Sequence, residues 1–286
     1  MRRSALVIVT VVAVVVAAVA VFLLLRKSGE TDRPAALPSA AAPSTAAPQP
    51  SATGAPTAAP TRSVPPMSPG APGLPASLRG KDIEILPTTR PVVALTFDAG
   101  ANADGLPAIL ATLAAEGVPG TFFLTGTFAN AYPDRVRAIV AANHRLGNHS
   151  MTHPSMTGLS DAQVHDEVYR AATAIRASGG TDPRPFFRFP SGDRNARTIA
   201  LLNDSGYVCV RWTVDTLGWQ GTTGGSTRAT VLARVLASAR AGEIVLMHVG
   251  SHPTDHSTND ADALPDIIAQ LRARGYGFVT LDVLLG

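Results

Sequence analysis

The sequence contains one cysteine, few aromatic residues and no cluster of one charge sign. Because Cys209 is the only cysteine among 286 residues, no intramolecular disulfide can form. Cys209 lies in the apolar run 207–210, a setting typical of a buried structural thiol rather than a nucleophile. Basic residues outnumber acidic residues by only 24 to 21, and no Lys/Arg block or aromatic-interleaved basic patch occurs. These absences argue against a nucleic-acid partner.

The N-terminal segment 5–25 contains no charged residue and is about long enough to cross a ~30 Å hydrocarbon layer as a helix. We therefore predict a short tail over 1–4 and an uncleaved transmembrane anchor over 5–25, which attaches the protein to the cell membrane. A cleaved signal peptide is the competing interpretation, but the apolar run is long and no small-x-small cleavage site stands out after it. The rest of the chain is expected outside the cytoplasm.

Residues 26–77 are rich in alanine, proline, serine and threonine and poor in large apolar residues. Proline at this density opposes both helix and sheet, and a segment without large apolar side chains cannot form a core. We predict a disordered linker here, followed by one folded domain over 78–286. Such a spacer would hold the domain away from the membrane, which suits a wall polymer as the target; a linker without a specific target is the alternative.

Beyond the linker, short apolar runs alternate with helical patterns. The predicted strands are 92–97, 120–124, 145–149, 186–189, 207–214, 244–248 and 277–281. The predicted helices are 106–116, 133–142, 161–177, 196–205, 228–240 and 261–274. Ser160 and Gln163 have the spacing of a capping box for the third of these helices. The repeated strand-then-helix order predicts an α/β fold of parallel strands, about seven of which are enough to curl into a (β/α) barrel.

Titratable side chains follow the predicted strands. Asp98, Asn102 and Asp104 come after the first strand, and His149 and His153 come after the third. The later strand ends carry Arg188, Pro190, Ser191, Asp193, Asp215, Trp219, Leu246 and His248. Because barrels place their sites at the carboxyl ends of their strands, we expect these side chains on one rim.

The residue types on this rim suggest metal binding and acid–base chemistry. His149 and His153 are four residues apart, which can place both imidazoles on one face of a helical turn around one divalent ion. His248 is either a general acid suited to neutral pH or a buried core histidine. Arg188, between aromatic residues, is either an ordinary surface cation or the partner of a buried acid. Trp219 is either core or the wall of a substrate pocket.

Taken together, five motifs resemble those of one enzyme family. They are Thr-Phe-Asp-Ala-Gly at 96–100, His-Ser-Met-Thr-His at 149–153, Arg-Phe-Pro at 188–190, Asp-Thr-Leu-Gly-Trp at 215–219 and Leu-Met-His at 246–248. In this order they resemble the NodB-homology polysaccharide deacetylases, carbohydrate esterase family 4, over residues 91–282. The resemblance implies a distorted barrel with fewer than eight strands and a divalent metal, commonly zinc, with cobalt or manganese as alternatives. It also implies removal of acetyl groups from N-acetylated glycan such as peptidoglycan, or less often from O-acetylated xylan.

The resemblance also assigns roles to residues of this chain. Asp98 matches the catalytic base, which takes a proton from the attacking water, and Arg188 matches the residue that holds the base. His149 and His153 match the metal-binding histidines. His248 matches the general acid that protonates the departing amine, and Asp215 matches the acid that orients this histidine.

Further positions match the small pocket of the family that receives the acetyl group. Leu246 and Trp219 match residues that line it. Pro190 ends the Arg-Phe-Pro motif, and a backbone N–H near Ser191 would stabilise the tetrahedral oxyanion together with the metal. The loop 250–256, which contains His252 and His256, is expected to be a polar loop over the site, with a solvated turn as the simpler interpretation.

Three departures from the family pattern lie near the expected site. Ala99 stands where the family has a second Asp as the third metal ligand, and alanine has no donor atom. Asp104 is our candidate replacement, although it could equally cap the helix that begins near residue 106; Asn102 or Asp98 itself are further candidates. Ser191 replaces a tyrosine, and Gly218 replaces a second acid. These changes indicate an atypical substrate or a weakly held ion.

Three functions are therefore open. The first is a membrane-anchored, metal-dependent deacetylase of cell-wall or related N-acetylated glycan. The second is a glycan-binding module on the same scaffold, which has lost its chemistry through Ala99. The third is a stalked structural protein, which explains the anchor and the spacer but none of the motifs. Because a binding module needs neither a base nor an acid, the presence of Asp98, Arg188, Asp215 and His248 favours the enzyme.

Overall fold

The computed structural model describes residues 74–179 and 181–286. The predicted anchor over 5–25 and most of the predicted linker lie outside the described residues. Within the described part of the chain, no helix is long and apolar enough to span a membrane. The predicted domain begins at residue 78, and the described structure contains a single turn of 3-10 helix at Ala76–Leu78.

Parallel strands form one sheet at the centre of the fold. The strands are β1 (Asp82–Ile83), β2 (Val92–Ala99), β3 (Thr121–Leu124), β4 (Arg145–Asn148), β5 (Phe186–Phe187), β6 (Val208–Val210), β7 (Val214–Asp215), β8 (Glu243–His248) and β9 (Gly277–Phe278). Their order in the nine-stranded sheet is β1-β6-β5-β4-β3-β2-β8-β7, and β9 pairs with the start of β2. Every pair of neighbouring strands is parallel.

The sheet is strongly curled. β6 is second in the strand order and β7 is last, yet only residues 211–213 separate them in the chain. These residues cross from one end of the sheet to the other: Arg211 N–H donates to Ile83 O, and Thr213 N–H donates to Ile244 O. An antiparallel bridge between Ile85 and Glu243 adds a second connection between the two ends. The sheet is therefore an incomplete, distorted barrel of the kind that the resemblance implies.

Helices cover the outside of the curled sheet. They are α1 (Leu106–Glu116), α2 (Gly126–Ala131), α3 (Pro133–Ala141), α4 (Asp161–Gly179), α5 (Ala196–Asp204), α6 (Arg228–Ser238) and α7 (Asn259–Ala273). Successive side chains of β2 point to opposite faces of the sheet and therefore belong to two apolar layers. Val93, Leu95 and Phe97 pack with the helices, whereas Ala94 packs with Phe123, Phe186 and Ile244 in a second apolar cluster.

Most of the predicted elements are present. The capping box of α4 is confirmed: Ser160 N–H donates to Gln163 Oε1 and Gln163 N–H donates to Ser160 Oγ. The prediction of one strand over 207–214 is wrong, because residues 211–213 leave β6 to reach β8 and divide the run into β6 and β7. The sequence patterns also missed β1 and α2, both of which are short.

Candidate active site

A cavity of about 620 Å³ opens at the carboxyl ends of the strands. It is lined by Asp98, Gly100, Ala101, His149, His153, Ser191, Trp212, Asp215, Trp219, Leu246 and His248. The register of the sheet explains this convergence: Asp98 of β2 pairs with His248 of β8, and Leu246 of β8 pairs with Asp215 of β7. Eight of the residues proposed from sequence thus share one cavity; Arg188, Pro190 and Asp104 are not part of its lining.

Asp98 and Arg188 form a buried ion pair beside this cavity. Arg188 Nη1 donates to Asp98 Oδ1 at 2.7 Å, and Arg188 Nη2 donates to Thr96 Oγ1 at 2.9 Å and to Arg211 O at 2.8 Å. The guanidinium lies 4.2 Å above the ring of Phe123, which can approach β4 because Gly147 has no side chain: a Cβ there would lie 2.5 Å from Phe123 Cδ1. The Arg188 side chain is therefore fixed, and it holds one carboxylate oxygen of Asp98 in place.

The environment of Asp98 keeps its carboxylate ionised. Burial raises the pKa of Asp98, but the charge of Arg188, with smaller effects from His149 and His248, outweighs burial and lowers this pKa below 3.8. Because Arg188 binds Oδ1, Oδ2 remains directed toward His149, whose Nε2 lies 3.3 Å away. An ionised carboxylate with one oxygen free of the arginine is suited to accept a proton.

His149 is arranged as a neutral imidazole with a free Nε2 lone pair. Its Nδ1 lies 2.8 Å from Arg188 O, a carbonyl that can only accept, so Nδ1 carries the proton. Burial lowers the pKa of His149 to about 4, which leaves the ring neutral at pH 7. Metal-binding histidines commonly donate their second ring nitrogen to a carbonyl in this way. The ring of His153 packs edge-on against His149 at 4.9 Å.

The turn between these histidines is held by Glu167 of α4. Glu167 Oε2 accepts from Met151 N–H and Thr152 N–H, at 2.9 and 2.8 Å, and Oε1 accepts from Thr152 Oγ1. His153 lies in the left-handed region with φ 61°, and its N–H donates to Ser150 Oγ. A left-handed backbone at a non-glycine residue costs of order 1–3 kcal/mol and persists only where neighbouring contacts enforce it. Glu167 supplies those contacts, and no sequence motif indicated this role.

Asp260, which the sequence did not single out, is the acid that contacts His248. Asp260 Oδ2 accepts from His248 N–H at 2.8 Å and lies 3.5 Å from His248 Nδ1. Burial lowers the pKa of His248, but the Asp260 carboxylate, followed by Asp98 and Asp215, raises it overall above 6.5. The protonated form, which a general acid requires, is therefore favoured.

Asp215 lines the cavity, and its hydrogen bonds lie within the turn that follows β7. Its Oδ1 accepts from Leu217 N–H at 2.9 Å, and its Oδ2 lies 3.5 Å from Trp219 Nε1. That Asp215 orients His248 stays a prediction without a supporting contact, because both of its oxygens face the turn that carries Trp219. Leu217 in this turn has φ 59°, and Ser191, which also lines the cavity, has φ 52°. Asp215 therefore shapes the cavity wall.

Aromatic side chains form two walls of the cavity. Trp219 is 49% exposed and projects at the rim, whereas Trp212 is half-buried. Trp212 lies beside Gly192, where a Cβ would be 3.0 Å from Trp212 Cη2, and so it stands next to Ser191. The family has a tyrosine at position 191, and here the ring of Trp212 supplies aromatic surface next to that position. Sequence patterns gave no signal for Trp212, because it falls within the run predicted as one strand.

His149 and His153 are the cavity side chains that suit a divalent metal. The neutral, carbonyl-anchored His149 and the adjacent His153 fit such an ion as ligands. Across residues 74–179 and 181–286, however, no group of three or more His, Cys, Asp or Glu side chains could hold a metal ion. Ala99 is fully buried in the apolar cluster with Phe97. The chain thus offers two imidazoles, and Asp98 is the carboxylate beside them.

Asp104, the proposed substitute ligand, lies outside the cavity lining. Its Oδ2 accepts from Ser251 Oγ at 2.6 Å, and it is exposed. The alternative role as a helix cap is wrong, because Gly105 is the N-cap of α1 and no side chain caps it. Asn102 is engaged as well: its Oδ1 accepts from Ser251 N–H and Asp104 N–H. Both residues attach the loop after β2 to the loop after β8, and metal binding by Asp104 stays a prediction without a supporting contact.

Comparison with known proteins places the chain in a family. Residues 86–210 match the model of the family described as polysaccharide deacetylase. The chain is 32% identical over 195 residues to a peptidoglycan-N-acetylglucosamine deacetylase of Bacillus cereus, covering 68% of each chain. It is 36% identical over 192 residues to a chitooligosaccharide deacetylase of Bradyrhizobium, covering 64% of this chain and 86% of that relative.

A solved structure extends the comparison to the fold. It is a mutant of a carbohydrate esterase family 4 pseudoenzyme from Bacillus anthracis, described as having restored enzymatic activity. The TM-score is 0.63 at 31% identity, and the match covers 69% of this chain and 68% of that chain. The sequence motifs, the curled parallel sheet and these relatives agree. The chain belongs to the polysaccharide deacetylase family of hydrolases, carbohydrate esterase family 4 with NodB homology.

Proposed function

We propose that this protein is a metal-dependent deacetylase that hydrolyses the acetamido groups of N-acetylated polysaccharide, with cell-wall glycan as the first substrate and O-acetylated glycan as the second. The observation that carries the proposal is the placement of Asp98 and His248 side by side on neighbouring strands, facing one cavity. The pKa values of the two groups are shifted in opposite directions: that of Asp98 is lowered and that of His248 is raised. A base that is ionised and an acid that is protonated are the pair that amide hydrolysis requires.

The roles of the protein side chains follow from their contacts. Arg188 holds Asp98 Oδ1, so Oδ2 is available to take a proton from the water that attacks the acetyl carbonyl. His248 gives a proton to the sugar nitrogen as the C–N bond breaks, and acetate and a free amine leave. Leu246, which is nearly fully buried, and Trp219 would enclose the acetyl methyl group. Ser191, which also lines the cavity, would offer its backbone N–H to the oxyanion.

His149 and His153 would hold the divalent metal, with zinc as the first candidate and cobalt or manganese as alternatives. When bound, such an ion supplies Lewis acidity that polarises a carbonyl and lowers the pKa of water. The neutral state of His149 and its anchored Nδ1 support this assignment. Since two imidazoles are fewer protein ligands than zinc usually has, we expect a weaker affinity than that of a three-ligand site.

The substrate class is proposed from the relatives and from the walls of the cavity. The two relatives described above are deacetylases of peptidoglycan N-acetylglucosamine and of chitooligosaccharide, which share an N-acetylated sugar. The cavity is open, and Trp212 and Trp219 present aromatic surface to it. An aromatic ring at the wall of an open cavity suits the apolar face of a sugar.

We propose that the protein acts at the outer face of the cell membrane. The support is the uncharged segment 5–25 and the proline-rich segment 26–77, both of which are sequence features. Together they would attach the domain to the membrane and let it reach a wall polymer. Membrane fractionation with protease protection of intact cells tests this placement, since a soluble or protected domain would contradict it.

The deacetylase proposal is tested by acetate release from N-acetylglucosamine oligomers and peptidoglycan fragments. The full chain is assayed as purified, after chelation, and after addition of zinc, cobalt or manganese. We expect a metal to restore release and Asp98→Asn to abolish it. Asp161→Asn is the matched control, because Asp161 is an exposed acid that pairs with Arg197, and neither residue lines the cavity. Acetate release that persists in Asp98→Asn would contradict the role of the base.

A glycan-binding module is the second candidate, and Ala99 is the observation that favours it. The chain lacks a carboxylate at this position and no group of three metal-binding side chains exists among the described residues. One relative of similar fold is itself described as a pseudoenzyme. Under this alternative, no metal would restore acetate release, while glycan binding would be equal in the wild type and in Asp98→Asn.

A further inference from the structure

Asp260 is a buried acid in the first turn of α7, behind the cavity. It is 3% exposed, and its Oδ2 accepts from His248 N–H at 2.8 Å. Because the same oxygen lies 3.5 Å from His248 Nδ1, the carboxylate faces both the backbone and the ring of this histidine.

Two buried atoms at this contact have no other partner. His248 Nδ1 and Asp260 Oδ1 are both buried and make no hydrogen bond. Buried polar atoms are almost always paired in folded proteins, and 3.5 Å exceeds an ordinary N–H···O distance by only about 0.5 Å. A small rotation of the imidazole or of the carboxylate would therefore pair Nδ1–H with Asp260 and direct Nε2 away from Asp260.

Gly218 provides the space that Asp260 occupies. A Cβ at position 218 would lie 2.2 Å from Asp260 Oδ1 and 2.7 Å from Oδ2, distances that no side chain can adopt. The backbone of Gly218 does not itself require glycine, since its φ is not in the left-handed region. The carboxylate of Asp260 can therefore occupy this space only because position 218 has no side chain.

We propose that Asp260 is the positioning residue for His248, supplied from α7 into the space that a side chain at position 218 would otherwise fill. The proposal rests on the proposed function, because it concerns the acid of that reaction. Asp215 is the alternative orienting group, but its oxygens face Leu217 N–H and Trp219 Nε1–H. Asp260 does not touch the substrate; it fixes the tautomer and direction of the ring that does.

The first test compares an amide with an activated ester. Loss of a general acid slows hydrolysis of an N-acetylated sugar, whose amine must be protonated as it leaves, by about 10²-fold or more. Hydrolysis of 4-nitrophenyl acetate needs no such proton, because nitrophenolate leaves unaided. In Asp260→Ala we expect kcat for N-acetylglucosamine oligomers to fall by about 10²-fold with little change in KM, and kcat for the ester to change far less. Equal losses on both substrates, or no loss on the amide, would overturn the proposal.

The second test moves the acid to the other side of the contact. Gly218→Asp alone places a second side chain in the space of Asp260, and we expect it to reduce hydrolysis of both substrates. Combined with Asp260→Ala, it brings a carboxylate back to the same space and should restore a large part of the amide activity. A double variant no better than Asp260→Ala would contradict the shared position. Asp262→Ala, at an exposed acid in the same turn of α7, is the matched control.

The third measurement separates this proposal from the proposed function. If the wild type releases no acetate with any metal, the proposed function fails, but the pairing can still be observed in the ring ¹⁵N signals of His248. We expect a Nδ1–H signal in the wild type and in Asp262→Ala, and its shift or loss in Asp260→Asn, which keeps the volume of the side chain. An identical His248 spectrum in Asp260→Asn would overturn the proposal whatever the activity.

Discussion

At the scale of single residues, Arg188 shows how the fold produces a base from an ordinary carboxylate. The side chain is fully buried, and its Nη atoms bind Asp98, Thr96 and Arg211 O. Thr96 lies two residues before Asp98 and therefore on the same face of β2, so one guanidinium can donate hydrogen bonds to both side chains. A planar fork with several donors suits this arrangement, and an ammonium group does not.

We therefore predict that Arg188→Lys reduces acetate release by about 10²-fold and lowers the free energy of unfolding by about 1–3 kcal/mol. The lysine keeps a positive charge near Asp98 but leaves Thr96 Oγ1 and Arg211 O without their donor. Acetate release and urea unfolding measure the two effects. Arg170→Lys, at an exposed i,i+4 pair with Asp166, is the control and should change stability by less than about 0.5 kcal/mol. Wild-type activity in Arg188→Lys would show that charge alone positions the base.

His248 gives a prediction for the dependence of activity on pH. The acid must be protonated, and neighbouring carboxylates raise the pKa of His248 above 6.5 despite its burial. Activity is therefore retained through pH 6.5 and lost only as the pH rises past the raised value. Asp260→Asn removes the largest of the raising influences, so the alkaline limb of kcat/KM should move to lower pH. His165→Gln, at a histidine that contacts Ser205, should leave the limb in place; a limb that moves upward in Asp260→Asn would refute the assignment.

At the scale of the structural elements, the turn after β4 depends on a helix that lies outside the site. Glu167 of α4 holds Met151 N–H and Thr152 N–H, and the turn gives His153 its left-handed backbone. Groups that orient metal-binding side chains commonly contribute about 10–100-fold to metal affinity. The spacing of His149 and His153 therefore describes only part of what the proposed metal site needs.

We expect Glu167→Gln to weaken zinc binding by about 10-fold, because an amide cannot accept all the hydrogen bonds that the carboxylate accepts. Zinc titration calorimetry of the full chain measures this change. The neighbouring acid Asp166 is the matched control, since on the same helix it pairs with the exposed Arg170. If Asp166→Asn and Glu167→Gln weaken binding equally, the effect would come from charge at a distance and not from the turn.

Elements that carry their own periodic signal could be predicted from the sequence, and contacts between distant elements could not. Helices such as α1 and strands such as β2 follow from hydrophobic patterns within one segment. The motifs also located the cavity, because the carboxyl ends of parallel strands share one edge. Asp260 and Trp212 were missed because their roles arise from packing against Gly218 and Gly192, which are far away in sequence. No local pattern marks such a contact.

At the scale of the whole molecule, the crossing segment 211–213 connects the two ends of the curled sheet to each other and to the site. Thr213 N–H donates to Ile244 O, Thr213 Oγ1 donates to Glu84 O at 2.6 Å, and the same oxygen accepts from Ile244 N–H at 3.0 Å. Arg211 O accepts from Arg188, and Trp212 faces the cavity. Closure of the sheet and construction of the site thus depend on the same three residues.

This dependence predicts that Thr213→Val weakens the molecule as a whole. Valine keeps the shape of the side chain but leaves Ile244 N–H and Glu84 O without their partners, which should lower the free energy of unfolding by about 1–3 kcal/mol in urea. Because the segment also carries Trp212 and the carbonyl that binds Arg188, acetate release should fall together with stability. Thr173→Val, at an exposed position of α4, should change stability by no more than about 0.5 kcal/mol. Loss of stability with fully retained activity would show that the two ends of the sheet can separate without disturbing the site. The connection between these ends would then contribute to stability and not to activity.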